Sequence, residues 1–220
     1  MKILIKFPTR NRKDKFFNVL QKYYDFALDK KNLFFLITLD SDDLSMNCDD
    51  VKEKLKKFDN LEYVFGVSEN KIHAVNRDII DGDWDIILLA SDDMIPNKIG
   101  YDDIIRNRMI ENFPDTDGVL WFNDGFQGNR LNTLCILGKK YYQRFGYIYF
   151  PEYKSTWCDN EFMEVANILK KQKYFNDVII KHEHPDWGFG SRDNIHSLNY
   201  NNLNYDMNLY NNRKKINFEI

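Results

Sequence analysis

Cysteine is scarce in this 220-residue chain: Cys48, Cys135 and Cys158 are all it carries. They are odd in number and far apart, with no CxxC spacing, which argues against a zinc site and a disulfide framework. A reducing compartment is therefore expected. Long apolar runs are missing too. None approaches the roughly 20 residues of a membrane span, and the apolar stretch in MKILIKFPTRNR is too short for a signal peptide. There is no basic excess: 31 Lys and Arg face 34 Asp and Glu, for a net charge of -3. Nucleic-acid binders usually show a basic surplus or stripe, so no nucleic-acid partner is expected. No GxxxxGK[ST], GxGxxG or GxSxG element occurs. Phosphate binding, if present, must then rely on metal and side chains rather than on a glycine cradle.

What the chain does have is a run of alternating elements. Lys2–Phe7 reads as a strand and Asp14–Leu28 as an amphipathic helix, with Phe16, Leu20, Tyr23, Tyr24 and Ala27 at spacings of three and four. Leu33–Leu39 reads as a buried strand, Asp49–Phe58 as a helix, Leu61–Val67 as a strand, Ile72–Ile80 as a helix and 84–90 as a strand. This β-α-β-α-β-α-β order predicts an α/β fold with a mainly parallel sheet flanked by helices. Further on come a helix at Ile99–Asn112, a strand at Gly118–Asn123, a loop at Asp124–Arg130, a strand at Leu134–Leu137 and a helix at Lys139–Phe145. A helix at Asp159–Lys171 and a strand at Tyr174–Ile180 follow. From Asn199 the composition turns Asn- and Tyr-rich, which favours a loose extension; Leu203, Met207 and Leu209 are its candidate anchors.

Polar residues collect at the strand ends. The apolar run Ile86–Ala90 stops at Ser91-Asp92-Asp93. Carboxylates there need a cation, a hydrogen bond or solvent, and ligands of open α/β sheets sit beyond the carboxyl ends of strands. The pair suits Mg²⁺ or Mn²⁺; a solvated turn or a helix cap is the plain alternative. His182-Glu183-His184 follows the late strand, and either histidine would serve Mn²⁺ as a ligand. Asp159 opens a helix, as a cap or as a general base, with Glu161 its rival. Thr9 and Arg10 end the first strand, and Arg10 could pair with a diphosphate. Asp40 and Asp42 end the second strand, where acids contact ribose or base. Lys71 and Asn76 follow the third.

Four segments together carry a resemblance: Pro-Thr-Arg-Asn-Arg after the first strand, the acids after the second, Asn-Lys-Ile-x-Ala-x-Asn at 70–76, and Leu-Leu-Ala-Ser-Asp-Asp-Met at 88–94. They resemble family 2 glycosyltransferases of the GT-A fold, over roughly residues 2 to 185. The likeness is to small single-domain members found in phages, large viruses and bacterial polysaccharide clusters. It implies a GT-A domain over 1–198, with a nucleotide-sugar half at 1–98, an acceptor half at 99–198, and 199–220 as an extension. It also implies an inverting enzyme that uses Mn²⁺ or Mg²⁺, a nucleotide-diphosphate sugar donor, and a glycan, lipid-linked or protein acceptor. The cytoplasm, or a host's cytoplasm, is the implied location.

Residue by residue, the family's Asp-x-Asp metal motif falls on Ser91-Asp92-Asp93, with Ser91 in place of the first acid. Asp93 is assigned to the metal and Asp92 to the donor. The catalytic base falls on Asp159, the late metal-binding histidine on His182 or His184, and the acid that reads base or ribose on Asp40 or Asp42. Thr9, Arg10, Lys71 and Asn76 complete the donor set. The Trp121–Arg130 loop and the aromatic stretch Tyr147–Trp157 are candidates for the acceptor side. Two other readings remain at this point. A nucleotidyltransferase also uses strand-end acids and Mg²⁺ but usually has a glycine-rich basic loop near the first strand, which is missing. An inactive transferase-like carbohydrate-binding module would fit the replaced first acid.

Overall fold

The computed structural model describes residues 1–183 and 202–220. Its centre is a seven-stranded sheet. In chain order the elements are β1 (Ile3–Thr9), α1 (Lys13–Phe26), β2 (Leu33–Asp40), α2 (Asp49–Leu55), β3 (Leu61–Gly66), α3 (Lys71–Asn76), β4 (Ile86–Leu89) and β5 (Met94–Pro96). Then come α4 (Tyr101–Asn112), β6 (Val119–Phe122), β7 (Ile136–Gly138), α5 (Lys139–Phe145), α6 (Cys158–Ile168), β8 (Gln172–Phe175), β9 (Ile180–His182) and α7 (Leu203–Lys215). The order across the large sheet is β3-β2-β1-β4-β7-β6-β8, while β5 and β9 form a separate two-stranded sheet.

The strand sequences explain why both sheet faces are covered. Side chains alternate across a strand. In β4, Ile86 and Leu88 enter one hydrophobic core, while Ile87 and Leu89 enter the other. A strand with two buried faces reads as a continuous apolar run, and Ile86–Ala90 is one. On the first face α1 presents Phe16, Val19, Leu20 and Tyr23, and Phe16 packs edge-on against Phe7 of β1 at 5.0 Å between ring centroids. The second face is covered by α3, α5 and α6, through Ile72, Val75, Tyr141, Phe162 and Val165.

Chain direction places the site. β1 pairs in parallel with both β2 and β4, and β2 with β3. The chain thus winds outward through β1, β2 and β3, then returns to the other side of β1 as β4. That reversal between β1 and β4 is the switch point at which such sheets open a crevice. β7 runs antiparallel to β4 and β6, so β6 again runs with β4, and β8 runs with β6. The carboxyl ends of β1, β2, β4, β6 and β8 therefore share one edge.

Several expectations need correction. The strand expected over Tyr174–Ile180 is two strands. β8 ends at Phe175, where the Asn176 side chain accepts hydrogen bonds from Asn123 and from the Tyr174 hydroxyl, a turn-forming use of Asn. The chain then restarts as β9, which pairs antiparallel with β5 and sets His182 opposite Met94. The helix expected over Ile72–Ile80 stops at Asn76. Arg77 is extended, and Asp78 sits in the left-handed region at φ 72°, a conformation that Asp tolerates. Over residues 203–215 the C-terminal extension is not loose: it forms α7, which pairs with Glu161 of α6 through Arg213 and meets the residues just before α6 through Asp206 and Tyr210. Leu203, expected as an anchor, is exposed, and Met207 and Leu209 are only partly covered.

Candidate functional site

Two clusters lie along the common strand edge. The first forms where β1 and β2 end. Arg10 donates to Asp40 at 2.9 Å and reaches both oxygens of Asp42, at 2.7 and 2.9 Å. This fork geometry suits a guanidinium and a carboxylate, and Arg10 holds the Asp42 carboxyl below its ordinary range. Asp43 ties the two loops together: its carboxylate accepts from the amides of Asn11, Ser45 and Met46. Thr9 Oγ1 and Asp40 Oδ1 are buried without a hydrogen-bond partner among the described residues. Buried polar atoms normally have partners; for Asp40 Oδ1 the Arg77 guanidinium, 3.8 Å away, supplies the nearest charge.

The second cluster lies across the switch point, and here the two neighbouring aspartates part company. Asp92 turns toward α1 and meets Arg12 Nη1 at 2.9 Å and Lys15 Nζ at 3.5 Å. Burial pushes its carboxyl up despite the pull of Arg12. Asp93 turns the other way. Ser91 Oγ donates to it, and His182 Nε2 lies 3.6 Å from its carboxylate. Burial opposes its ionisation, but His182, Ser91 and the charge of Lys71 hold it far below the usual carboxylate range. Backbone pairing fixes this arrangement: the Glu183 amide donates to the Asp93 carbonyl at 2.7 Å and the His182 amide to the Asp124 carbonyl at 2.9 Å. Asp124, at the end of β6, places its carboxylate 3.9 Å from His182 Nδ1.

Asp159 closes the far side of this cluster. It is not the cap of α6; Trp157, at φ 61°, holds that position. Asp159 stands one residue inside the helix and keeps part of its surface open. Burial pushes its carboxyl up, against the opposing charges of Lys71 and His182. A raised carboxyl pKa is what proton abstraction near neutral pH asks of a carboxylate. The rival Glu161 is removed from the site. Residues two apart on a helix point to different faces, and Glu161 is buried against Arg213 Nε at 2.9 Å and the Tyr153 hydroxyl at 2.8 Å.

The expected residues thus divide. Asp93, His182, Lys71 and Asp159 are brought within electrostatic reach of one another. Thr9, Arg10, Asp40 and Asp42 form the neighbouring cluster, and Asp92 links the two sides through Arg12. His184 lies outside the described residues. Asn76 departs from its expected role: its side-chain amide donates to the Tyr149 carbonyl at 2.7 Å and accepts from the amides of Ile148 and Tyr149. It fastens the aromatic segment after α5. Arg12, Lys15 and Asp124 were missed. Arg12 stood in the Thr-Arg-Asn-Arg segment, two residues from the arginine that was chosen.

Among the described residues, no group of three or more His, Cys, Asp or Glu gathers as a ready-made metal cage. Among the described residues, Asp93 supplies a carboxylate and His182 an imidazole at 3.6 Å from it. That set fits Mn²⁺, which accepts an imidazole beside oxygen ligands and shares the habit of such ions of completing their coordination with water and substrate phosphate.

No protein-family model matches the sequence, and no curated protein matches it. Solved structures do share its fold. A mannosyltransferase from Pyrobaculum calidifontis, in complex with GDP-Man and Mn²⁺, superposes with a TM-score of 0.68 at 13% identity, over 86% of this chain and 58% of that one. TarS 1-349 of S. aureus, in complex with UDP-GlcNAc, gives a TM-score of 0.64 at 17% identity, over 82% of this chain and 57% of that one. The chain therefore spans under three fifths of the length of either structure. Its mixed, mainly parallel sheet with flanking helices is the GT-A fold, which both structures share with it.

Proposed function

We propose that this chain is a metal-dependent, inverting glycosyltransferase of the family 2 type, moving a sugar from a nucleotide-diphosphate donor to a hydroxyl of a glycan, lipid-linked or protein acceptor. The observation that carries the reading is the convergence of Asp93, His182, Lys71 and Asp159 beside the β1–β4 switch point. The fold shared with enzymes solved on GDP-Man and UDP-GlcNAc supports it. Residues 1–98 form the donor half and 99–198 the acceptor half.

In this reading, the nucleoside lies over the ends of β1 and β2, where Thr9 Oγ1 and Asp40 Oδ1 meet ribose or base. Asp93 and His182 would hold Mn²⁺ or Mg²⁺, which would supply charge neutralisation for the diphosphate. Lys71 adds a positive charge on the same side. Asp159 accepts the proton of the acceptor hydroxyl, whose oxygen forms the new bond to the anomeric carbon as the bond to the diphosphate oxygen breaks on the opposite face. Inversion follows from that in-line geometry.

The test is direct. The protein with Mn²⁺ is offered a panel that includes GDP-mannose and UDP-GlcNAc, and nucleoside diphosphate release is followed. One donor should turn over and raise the melting temperature. Asp159→Asn should keep that thermal shift and lose about 10³-fold in turnover. Near wild-type turnover by the variant removes Asp159 as the base, and no response to any donor removes the transferase reading.

A further inference from the structure

The C-terminal helix makes a contact that the proposed chemistry does not yet use. Asp206, one turn into α7, is fully buried. Its carboxylate faces three consecutive backbone amides: Oδ1 accepts from Lys154 at 2.9 Å, and Oδ2 accepts from Ser155 at 2.9 Å and Thr156 at 2.8 Å. The Thr156 hydroxyl adds a fourth donor at 3.3 Å. Successive amides turned on one anion form a strong, directional seat. The next residue is Trp157, held in the left-handed region, with its ring 5.1 Å from that of Tyr210 on α7. Two residues later comes Asp159. On the other side of Asp159, Glu161 is gripped by Arg213, also from α7. The start of α6 is thus fastened at both ends by side chains of one helix, at positions 206, 210 and 213, a spacing that lines up on one helical face.

We infer that Asp206 is a positioning residue: by seating the 154–156 amides it fixes the entry into α6 and hence where the Asp159 carboxylate stands relative to the acceptor hydroxyl. This rests on the reading of Asp159 as the base. A buried acid capping a loop far from any reactive group would serve stability alone. Here the capped segment runs without a break into the proposed base, where a displacement of about 1 Å lowers turnover on the order of 10²-fold.

The experiment combines kinetics with amide hydrogen exchange on the full chain. Three variants are compared: Asp206→Ala; Asp206→Asn, which keeps the shape and one carbonyl oxygen; and Lys214→Ala, on the same helix as Asp206, which removes a more exposed ion pair with Glu164 of α6. In Asp206→Ala, exchange across 154–160 should accelerate at least about tenfold. Its kcat should fall at least about tenfold while donor KM stays within about twofold. Asp206→Asn should be intermediate in both, and Lys214→Ala should match wild type. Unchanged exchange at 154–160 overturns the inference. So does faster exchange with kcat retained, or a loss that lies in donor KM. If Asp206→Ala does not fold, Asp206→Asn decides by the same criteria. If wild type turns over no nucleotide sugar, the transferase reading fails, and exchange at 154–160 still decides whether Asp206 holds the segment.

Discussion

The turn after β4 and the start of α6 each carry two acids close in sequence, and each sorts them in the same way. At the turn, Asp92 is paired with Arg12 while Asp93 faces His182. On α6, Glu161 is paired with Arg213 while Asp159 stays on the site side. One acid of each couple is paired with a guanidinium; the other, in the proposed function, carries the chemistry. The difference is where the guanidinium comes from. Arg12 follows β1, the neighbouring strand, and its pair with Asp92 spans the crevice at the switch point. Arg213 comes from the last helix, 52 residues beyond Glu161, and its pair is closed off from the crevice. If the proposed function holds, the first couple should affect donor binding and the second stability.

Swapped substitutions break or sharpen that comparison. The largest contrast should be within the first couple. Asp93→Asn should weaken Mn²⁺-dependent donor binding about 100-fold, because it removes a charged ligand. Asp92→Asn should leave Mn²⁺ affinity within a few fold and lower stability instead, since it leaves Arg12 beside a neutral group. Isothermal titration of Mn²⁺ with the donor bound separates the two, and a larger metal defect in Asp92→Asn would reverse the assignment. Within the second couple, Arg213→Met leaves Glu161 buried with the Tyr153 hydroxyl as its remaining partner. Losing one member of a buried ion pair costs roughly 3 kcal/mol or more, a loss that urea denaturation should register. A loss under about 1 kcal/mol would mean that Glu161 is solvated after all.

These couples also mark how far the sequence could be read. The acids assigned to the chemistry stand out in the sequence, because each follows a buried strand or opens a helix with apolar periodicity. Apolar runs and their alternation were enough for the β-α order of the first ninety residues. The partners were not legible. Nothing local to Arg213 or Asp206 points to residues about 50 positions earlier, and a polar Asn-rich stretch has the composition of a loose tail. α7 is held by the buried carboxylate of Asp206 and guanidinium of Arg213 as well as by Tyr210, and hydrophobic spacing points to Leu203 but says nothing of Asp206. The split of β8 from β9 was hidden for a related reason. The residues from Tyr174 to Ile180 suit an extended chain, and only tertiary pairing with β5 decides where the strand is interrupted. The motif position of Asn76 says nothing about the carbonyl and two amides that its side chain meets.

A third ionic group tests whether the sorting by guanidinium is general, through a smaller effect. Lys6, in the middle of β1, is fully buried. Its ammonium donates to the Thr38 hydroxyl and to the Arg77 carbonyl, and Asp78 lies 4.0 Å away. Asp78, however, is already paired with Arg77 at 2.9 Å, so the guanidinium again takes the carboxylate and the lysine is left with little compensation. Burial lowers the Lys6 pKa to about 7, against the pull of Asp78. In the unfolded chain the same amine keeps its proton to about 10.4. Between these values the unfolded state binds more protons than the folded state, so stability rises with pH. Wild type should gain on Lys6→Met by about 1.4 kcal/mol per pH unit from pH 7 toward pH 10. Below pH 7 both states carry the charge and the gap should level off. Denaturation at pH 6, 7, 8 and 9 measures this slope. A flat difference would show that Asp78 compensates Lys6 fully, and that Arg77 does not claim the acid as Arg12 and Arg213 claim theirs.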